Sequence, residues 1–251
     1  LSMATLREII AYCNEVLSPG LFRDYCPNGL QVEGSAQVGF IVSGVTASQA
    51  LIDEAVSRKA DLLLVHHGFF WKGEEPCITG MKQRRISALI RNDISLLAYH
   101  LPLDAHVELG NNAQLASYLG LEIDGTLNEE GIGLYGHAQA ELSLDQLGQL
   151  VEERLERVPL LVSGGDHPAK RIGWCTGAAQ NYIEQAAALG MDAFISGEVS
   201  EQTVHTAREL GIHYIAAGHH ATERYGVRAL GDRLASVFGI SHHFVDIANP
   251  V

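Results

Sequence analysis

The strongest constraint on the fold of this chain is that it repeats itself. Ile41-Val-Ser-Gly-Val-Thr-Ala-Ser-Gln49 leads to Ile52-Asp-Glu-Ala55 and then to Ala60-Asp61-Leu-Leu-Leu64. Ile172-Gly-Trp-Cys-Thr-Gly-Ala-Ala-Gln180 leads to Ile183-Glu-Gln-Ala186 and then to Met191-Asp192-Ala-Phe-Ile195. Gln49 matches Gln180, Ile52 matches Ile183 and Asp61 matches Asp192 without a gap. Both stretches read as strand, glycine-containing turn, helix, strand. The reading is an α/β fold of two pseudo-symmetric halves from an internal duplication. The first half covers about residues 1–120 and the second about 171–251 of a single domain, 1–251, with 121–170 linking or decorating them.

Three apolar runs end in groups that bind metals. Leu62 to Val65 ends in His66-His67, Ile94 to Ala98 leads to His100-Leu-Pro-Leu-Asp104, and Ile212 to Ala217 leads to His219-His220-Ala-Thr-Glu223. Matching Leu96–Asp104 to Ile215–Glu223 superposes His100 on His219 and Asp104 on Glu223. In open α/β folds, ligands bind at the carboxyl ends of strands. Equivalent His–acid pairs in each half therefore predict one site between the halves.

The candidate ligands are His66, His67, Asp104, His219 and Glu223, with His100 in reserve. One catalytic ion needs about three protein ligands and an open position. Five or six ligands suit two ions, which together activate water and polarise a substrate oxygen. Imidazole and carboxylate without sulfur suit Zn, Mn, Fe or Ni. His66 and His67 are adjacent, and neighbouring strand residues point to opposite faces, so the pair can serve two ions where the strand runs into the Gly68 turn; solvent-facing or hydrogen-bonded loop histidines are the alternative. Pro102 puts the His100–Asp104 pair in a loop. Glu198 occupies the repeat position of His67 and is a candidate to support a ligand or act as a base; an ordinary surface acid is the alternative. His242-His243 has no acid at matching spacing and reads as structural.

Composition narrows the functional classes. The chain has 251 residues, 47% of them apolar, enough for one large domain or two modest ones. No run approaches the roughly 20 apolar residues a membrane span needs, and no signal-peptide pattern opens the sequence. Cys13, Cys26, Cys77 and Cys175 lie far apart without a C-x-x-C spacing, as expected for free thiols in the cytoplasm. The net charge of -13 and the lack of a basic stripe beyond Lys82-Gln-Arg84-Arg85 argue against tight duplex DNA binding. Gly131-Ile-Gly133-Leu-Tyr-Gly136 matches a dinucleotide fingerprint literally, but no helix starts at its end, so it reads as a glycine-rich turn. Helices are expected over Thr5–Leu17, Asn111–Leu119, Ser143–Leu155 and Thr222–Phe238.

Pro27-Asn-Gly-Leu-Gln-Val-Glu33, Val65-His-His-Gly68, His100-Leu-Pro-Leu-Asp104, Gly197-Glu-Val-Ser-Glu201 and Gly218-His-His-Ala-Thr-Glu223 together resemble the Nif-three-like family, the domain of unknown function thirty-four, and its bacterial members in particular. The resemblance spans nearly the whole chain. It implies two related α/β halves around a dinuclear metal site, with ligands corresponding to His66, His67, Asp104, His219 and Glu223. It also implies a toroidal homohexamer with sites facing an internal cavity. Many such proteins carry the label GTP cyclohydrolase I type 2 homologue, which is not itself an activity to transfer. The family's G-x-G-R-x-G stretch has Leu134 in place of arginine here.

The expected function is a dinuclear metal-dependent hydrolase of a nucleotide or another phosphorylated or cyclic-amide metabolite. The alternatives are a protein that stores or delivers metal, and a hexameric scaffold braced by metal.

Overall fold

The computed structural model describes residues 2–251, and the protein is mixed α/β. It divides into two compact units, one running to Leu103 and resuming over Gly226–Ala248, the other formed by Asp104–Tyr225 and Asn249–Val251. In chain order the first unit contains β1 (Ala4–Thr5), α1 (Leu6–Leu17), β2 (Gly29–Val32), β3 (Gln37–Val38), β4 (Phe40–Thr46), α2 (Gln49–Ser57), β5 (Leu62–His67), α3 (Gly80–Arg91) and β6 (Ser95–Ala98). A short helix, α4 (Leu101–Ala105), carries the chain across the boundary. The second unit follows with α5 (Asn111–Leu119), β7 (Glu122–Thr126), β8 (Leu134–Leu142), α6 (Leu144–Leu155), β9 (Leu160–Val162), β10 (Ala169–Cys175), α7 (Ile183–Ala188), β11 (Ala193–Ser196), α8 (Glu201–Leu210), β12 (His213–Ala216) and α9 (His219–Thr222). α10 (Arg224–Phe238) begins there and returns the chain to the first unit, where β13 (Ser241–Phe244) joins its sheet.

The first unit's main sheet has the order β13-β4-β5-β6-β2. β13, β4, β5 and β6 are parallel, and β2 closes the edge antiparallel to β6. Central parallel strands are covered on both faces, so they need continuous apolar runs. Leu62, Leu63, Leu64 and Val65 are accordingly all fully buried. Ile52, Leu63, Val65, Leu89 and Leu96 share one core cluster there. Truncating one such leucine to alanine costs about 2–5 kcal/mol.

The second unit's sheet has the order β7-β8-β10-β11-β12-β9. β10, β11 and β12 are parallel, and β9 closes the edge antiparallel to β12. Residues 121–170 supply β7, β8, α6 and β9, which extend this sheet at both edges and bring Ala138, Leu147, Val151 and Leu155 into its core. Trp174 lies fully buried in that core and its indole donates to the Asn112 carbonyl, so its single polar group is satisfied.

The two βαβ stretches have the same internal register. Ile41 faces Leu62 across β4 and β5, and Ile172 faces Ala193 across β10 and β11. Asp61 Oδ2 accepts from the backbone of Gly39 and Phe40, and Asp192 Oδ2 accepts from Lys170 and Arg171. Each aspartate pins the first residues of one strand to the start of the next. Gly34 donates to the side chain of Ser95, the first residue of β6, and Gly164 to that of His213, the first residue of β12. Ser95 and His213 are register partners of Leu62 and Ala193. The sequence match of His100 with His219 is therefore one residue out of step with the strands. The second stretch gains a residue, Gly218, at φ +104, between strand and histidine.

The helix signals hold for α1, α5 and α6, while the helix expected from Thr222 starts at Arg224, because Thr222 ends the separate short helix α9. Thr5 and Ser143 make capping boxes with Glu8 and Gln146 at the starts of α1 and α6, and Gly120 ends α5 in the left-handed region. Gly131 and Gly133 take positive φ in the turn into β8, with no helix after it. Among the described residues no helix is long and apolar enough to cross a membrane, and all four cysteines are free.

Candidate metal centre

The donors of the first unit gather at the carboxyl ends of β5 and β6. His66, with no exposed surface, donates from Nδ1 to the Tyr99 carbonyl at 2.8 Å. His67 Nδ1 lies 3.0 Å from the Thr46 hydroxyl at the end of β4. His100 Nδ1 lies 2.7 Å from Asp24 Oδ1. Asp24 also accepts from the backbone of Tyr25 and Leu101 and from the Asn28 amide, while the Asn28 oxygen accepts from the His100 backbone. Burial works to raise the Asp24 pKa, but the bonds from His100, Asn28 and Leu101 outweigh it and hold the carboxyl at about 2. It is an anion at any physiological pH.

Adjacent strand residues are expected to face opposite ways, yet the His66 and His67 rings sit 4.6 Å apart. Their Nδ1 anchors belong to the two flanking strand ends, Tyr99 after β6 and Thr46 on β4. Each ring is thereby tied to a different flanking strand end. The His100 ring is 5.0 Å from His66 and 5.7 Å from His67. The three imidazoles offer ligand nitrogens within 4.8 Å of one another, a group able to hold a metal ion. Trp71 stands edge-on to His100 at 5.0 Å and tilted to His67 at 5.8 Å, walling one side.

The expectation that Pro102 keeps the His100–Asp104 pair in a loop is corrected by α4. Pro102 lies in the first turn of that helix, where a backbone N–H has no intrahelical acceptor, so its missing donor costs nothing.

The second unit presents oxygen. Asp104 is 7% exposed, and its Oδ1 accepts from the Asn111 amide at 2.9 Å and the Thr176 hydroxyl at 3.4 Å. His219 opens α9; its Nδ1 lies 2.7 Å from Glu198 Oε1 and its Nε2 3.1 Å from Glu223 Oε2. Glu223 is 3% exposed. Burial works to lower the His219 pKa, but bonds and charge from Glu223 and Glu198 lift it to about 9. Without metal, His219 is a cation at neutral pH between two carboxylates.

Two glycines make room for this arrangement. Gly177 has φ +73, and a β-carbon there would lie 2.2 Å from Glu223 Oε1 and 3.2 Å from His219 Nε2. One on Gly197 would lie 2.5 Å from the Gly177 carbonyl and 2.7 Å from the His219 α-carbon. Cys175, behind Asp104 and Glu223, has its thiol pKa pushed up by burial first and by those two charges after it.

The donor chemistry in both units fits a divalent ion. Ligating histidines are held through their second nitrogen by a carboxylate or carbonyl; Tyr99 O, Asp24 and Glu198 do this for His66, His100 and His219. Sequence reasoning singled out His66, His67, His100, Asp104, Glu198, His219 and Glu223; six of them stand in groups able to hold a metal ion, and Glu198 holds the His219 ring. It missed Asp24, Thr46, Thr176 and Gly177. Gly177 was within reach, because it stands in the repeat at the place of Thr46.

His242 shows how misleading a local pattern can be. Its Nε2 lies 2.7 Å from Ser43 Oγ and its Nδ1 2.8 Å from Asp232, an alignment with the look of a nucleophilic triad. Ser43 has no exposed surface, so no substrate reaches it. Burial, ahead of the opposing Asp232 charge, lowers the His242 pKa. The arrangement ties β13 to β4.

Comparison with known proteins agrees with these features. The family model Duf34/NIF3 (NGG1p interacting factor 3) matches residues 4–250. A Pseudomonas aeruginosa protein named GTP cyclohydrolase 1 type 2 homolog is 58% identical over 98% of both chains. A Vibrio cholerae protein of the same name is 54% identical over 97% of this chain and 98% of its own. Among solved structures, the structural-genomics protein ybgI, of unknown function, superposes with a TM-score of 0.96 at 50% identity, covering 99% of this chain and 100% of its own. This chain belongs to the Duf34/NIF3 family.

Proposed function

We propose that this protein is a metal-dependent hydrolase that works with two divalent ions, Fe, Mn, Zn or Ni. His66 and His67 would supply nitrogen from the first unit, and Asp104, His219 and Glu223 would supply nitrogen and oxygen from the second. The observation that carries the reading is the fixing of histidines through Nδ1 by groups that accept a proton bond, which leaves Nε2 as the ligating atom. His100 and Asp104 lie one helical turn apart in sequence, so the chain passes directly from one donor set to the other. When bound, two such ions polarise a substrate oxygen and make water acidic enough to attack. The chain's own part is to hold the donors, with Glu198 orienting His219 and able to hold a proton beside it, and Trp71 walling the imidazoles of the first unit.

The two halves are read as products of a duplication. The equal register at Ile41/Leu62 and Ile172/Ala193, and the matching roles of Asp61 and Asp192, support this. The substrate class is a nucleotide or another phosphorylated or cyclic-amide metabolite. The name GTP cyclohydrolase 1 type 2 homolog on relatives more than 50% identical favours the nucleotide. Assembly as a homohexamer is part of the same reading.

The test is elemental analysis of protein purified without chelator or metal-affinity resin, then a hydrolysis screen with the metal found. Two ions per chain and a turned-over substrate are expected. Saturation at one ion under excess Mn, Fe or Zn would sink the two-ion chemistry. Rapid metal loss to a weak chelator would favour storage or delivery. A melting temperature that collapses on chelation, with no activity, would favour the braced scaffold.

A further inference from the structure

We propose that Arg157 is a positioning residue for α9, acting through a clip that it forms with the segment Asn249–Val251. The proposal rests on the metal-binding reading above, because α9 carries His219 and leads into Glu223. None of the clip's own residues is among the assigned ligands.

α9 is a single turn of four residues. One turn makes too few hydrogen bonds to hold itself in water, so its direction is set by what grips it from outside. One grip comes from the loops after β10 and β11: Gly218 donates to the Gly197 carbonyl, and the Thr222 hydroxyl accepts from the backbone of Gly177. The second grip is the clip. His220 donates its backbone N–H to the Val251 carbonyl at 3.0 Å. Arg157 Nη2 donates to the Pro250 carbonyl at 2.9 Å. Asn249 Oδ1 accepts from the Val251 backbone at 2.9 Å and folds the segment on itself. Arg157 also lies against the entry to α9. A β-carbon on Gly218, at φ +104, would sit 2.7 Å from Arg157 Cδ and Nε. The contacts form a closed circuit within the second unit, from Arg157 through Pro250 and Val251 to His220, and through Gly218 back to Arg157.

Two features set this circuit apart from ordinary packing. Glu156, which directly precedes Arg157 and ends α6, has φ +53, in the left-handed region where glycine or asparagine is usual. Strain of this kind persists where the surrounding structure dictates what the next residue must do. The segment itself buries little: Asn249 and Pro250 are exposed, and Val251 is 57% exposed. A segment packed for its apolar surface would put its valine inside. This one is placed by hydrogen bonds to an arginine and to α9. Holding α9 in its bound direction beforehand spares the metal the cost of ordering His219.

The experiment uses the whole protein loaded with Co(II), whose visible absorption reports the geometry of its ligands. Arg157→Met keeps a stem against Gly218 and removes the bond to Pro250. In competition with a chelator it should weaken Co(II) binding about tenfold, the low end of the effect of losing a group that orients a ligand, and it should shift the Co(II) absorption. The melting temperature of the metal-free protein should stay at the wild-type value. Asn249→Ala loosens the same clip from its exposed end and leaves Arg157 in place. It should shift the absorption in the same direction with a smaller loss of affinity, and it decides the question should Arg157→Met fold poorly. Wild-type affinity and absorption in both variants would overturn the proposal and leave the five-ligand site standing. So would a lower metal-free melting temperature in Arg157→Met with unchanged absorption, the mark of a merely structural arginine. A shift in Arg157→Met alone would overturn the part given to Asn249–Val251. A wild type that takes up no Co(II) would overturn the metal-binding reading and this proposal with it.

Discussion

Where β5 ends in His66 and His67, β11 ends in Ser196 and runs on through Gly197 to Glu198. Where β4 ends in Thr46, which holds His67, β10 is followed by Gly177, which leaves room for Glu223. His100 leans on Asp24, brought from 76 residues away, and His219 leans on Glu198, 21 residues away. The register of the two βαβ stretches and their pinning aspartates are alike in the two units, while the residues at the strand ends differ. The same backbone therefore presents three imidazoles in one unit and one imidazole with two buried carboxylates in the other. The first set supplies nitrogen donors and the second supplies carboxylates beside its one imidazole. At a strand end a substitution changes ligand chemistry without touching the apolar interior.

The comparison is broken most severely by Gly177→Ala. At φ +73 any side chain is strained by roughly 1–2 kcal/mol. The added carbon also claims the space of Glu223 Oε1, which lies only 2.2 Å away. Metal content should fall by at least one ion per chain, with a lower melting temperature even in the metal-free protein. The matching change in the first unit, Thr46→Val, removes one hydrogen bond to His67 and creates no clash. It should weaken metal binding about tenfold or more and leave the fold unchanged, in keeping with loss of an orienting partner. Equal damage from both, read by elemental analysis and thermal melting, would refute the asymmetry.

Glu223→Gln comes next. It keeps the volume and removes one negative charge between proposed cations. At least one ion should be lost, turnover on any substrate should fall by orders of magnitude, and the metal-free melting temperature should barely move. A variant retaining both ions and full activity would remove Glu223 from the site.

A smaller effect sharpens the electrostatic half of the contrast. His219 is lifted to about 9, so the imidazole is protonated over the neutral range in the metal-free protein. A ligand must be neutral, so metal binding at His219 has to expel that proton. Below about pH 9 the affinity should drop about tenfold per pH unit through this group alone, and above it this dependence should vanish. Calorimetry in buffers of different ionisation enthalpy reads the proton directly. Uptake with no proton released at pH 7 would show that His219 does not ligate. Glu198→Gln should lessen the release by lowering the His219 pKa.

Much of the fold was legible because it rests on local pattern. The repeat, the buried runs of β5 and β11, and the caps at Thr5 and Ser143 are written in neighbouring residues. The donors His66, His67, His100, Asp104, His219 and Glu223 were visible because each follows an apolar run. Asp24 was not: it lies in an irregular stretch between α1 and β2 and meets His100 only through tertiary folding. Pro102 misled because its position in the first turn of α4, not its presence, decides whether a helix forms. The sequence match between the histidine–acid pairs hid the extra Gly218, which strand register alone exposes.

The smallest expected effect tests the shared framework rather than the differing ends. Asp61 and Asp192 each accept two backbone N–H bonds at 2.8–3.0 Å, to Gly39 and Phe40 in one case and Lys170 and Arg171 in the other. Asparagine keeps the shape and an acceptor oxygen but removes the charge that strengthens both bonds. Bonds to charged groups contribute about 1.5–3 kcal/mol and neutral ones about half to 1.5. Solvent reaches both partly buried sites and reduces the difference. Asp61→Asn and Asp192→Asn should each cost about 1 kcal/mol, or roughly 2–4 °C of melting temperature for a chain of this size. Neither should change metal content, because neither aspartate touches a donor. Matching losses would support a common origin for the two βαβ stretches. A neutral change at one position with a loss above about 2 kcal/mol at the other, outside the usual range for such a bond, would show that the similarity of register conceals different packing.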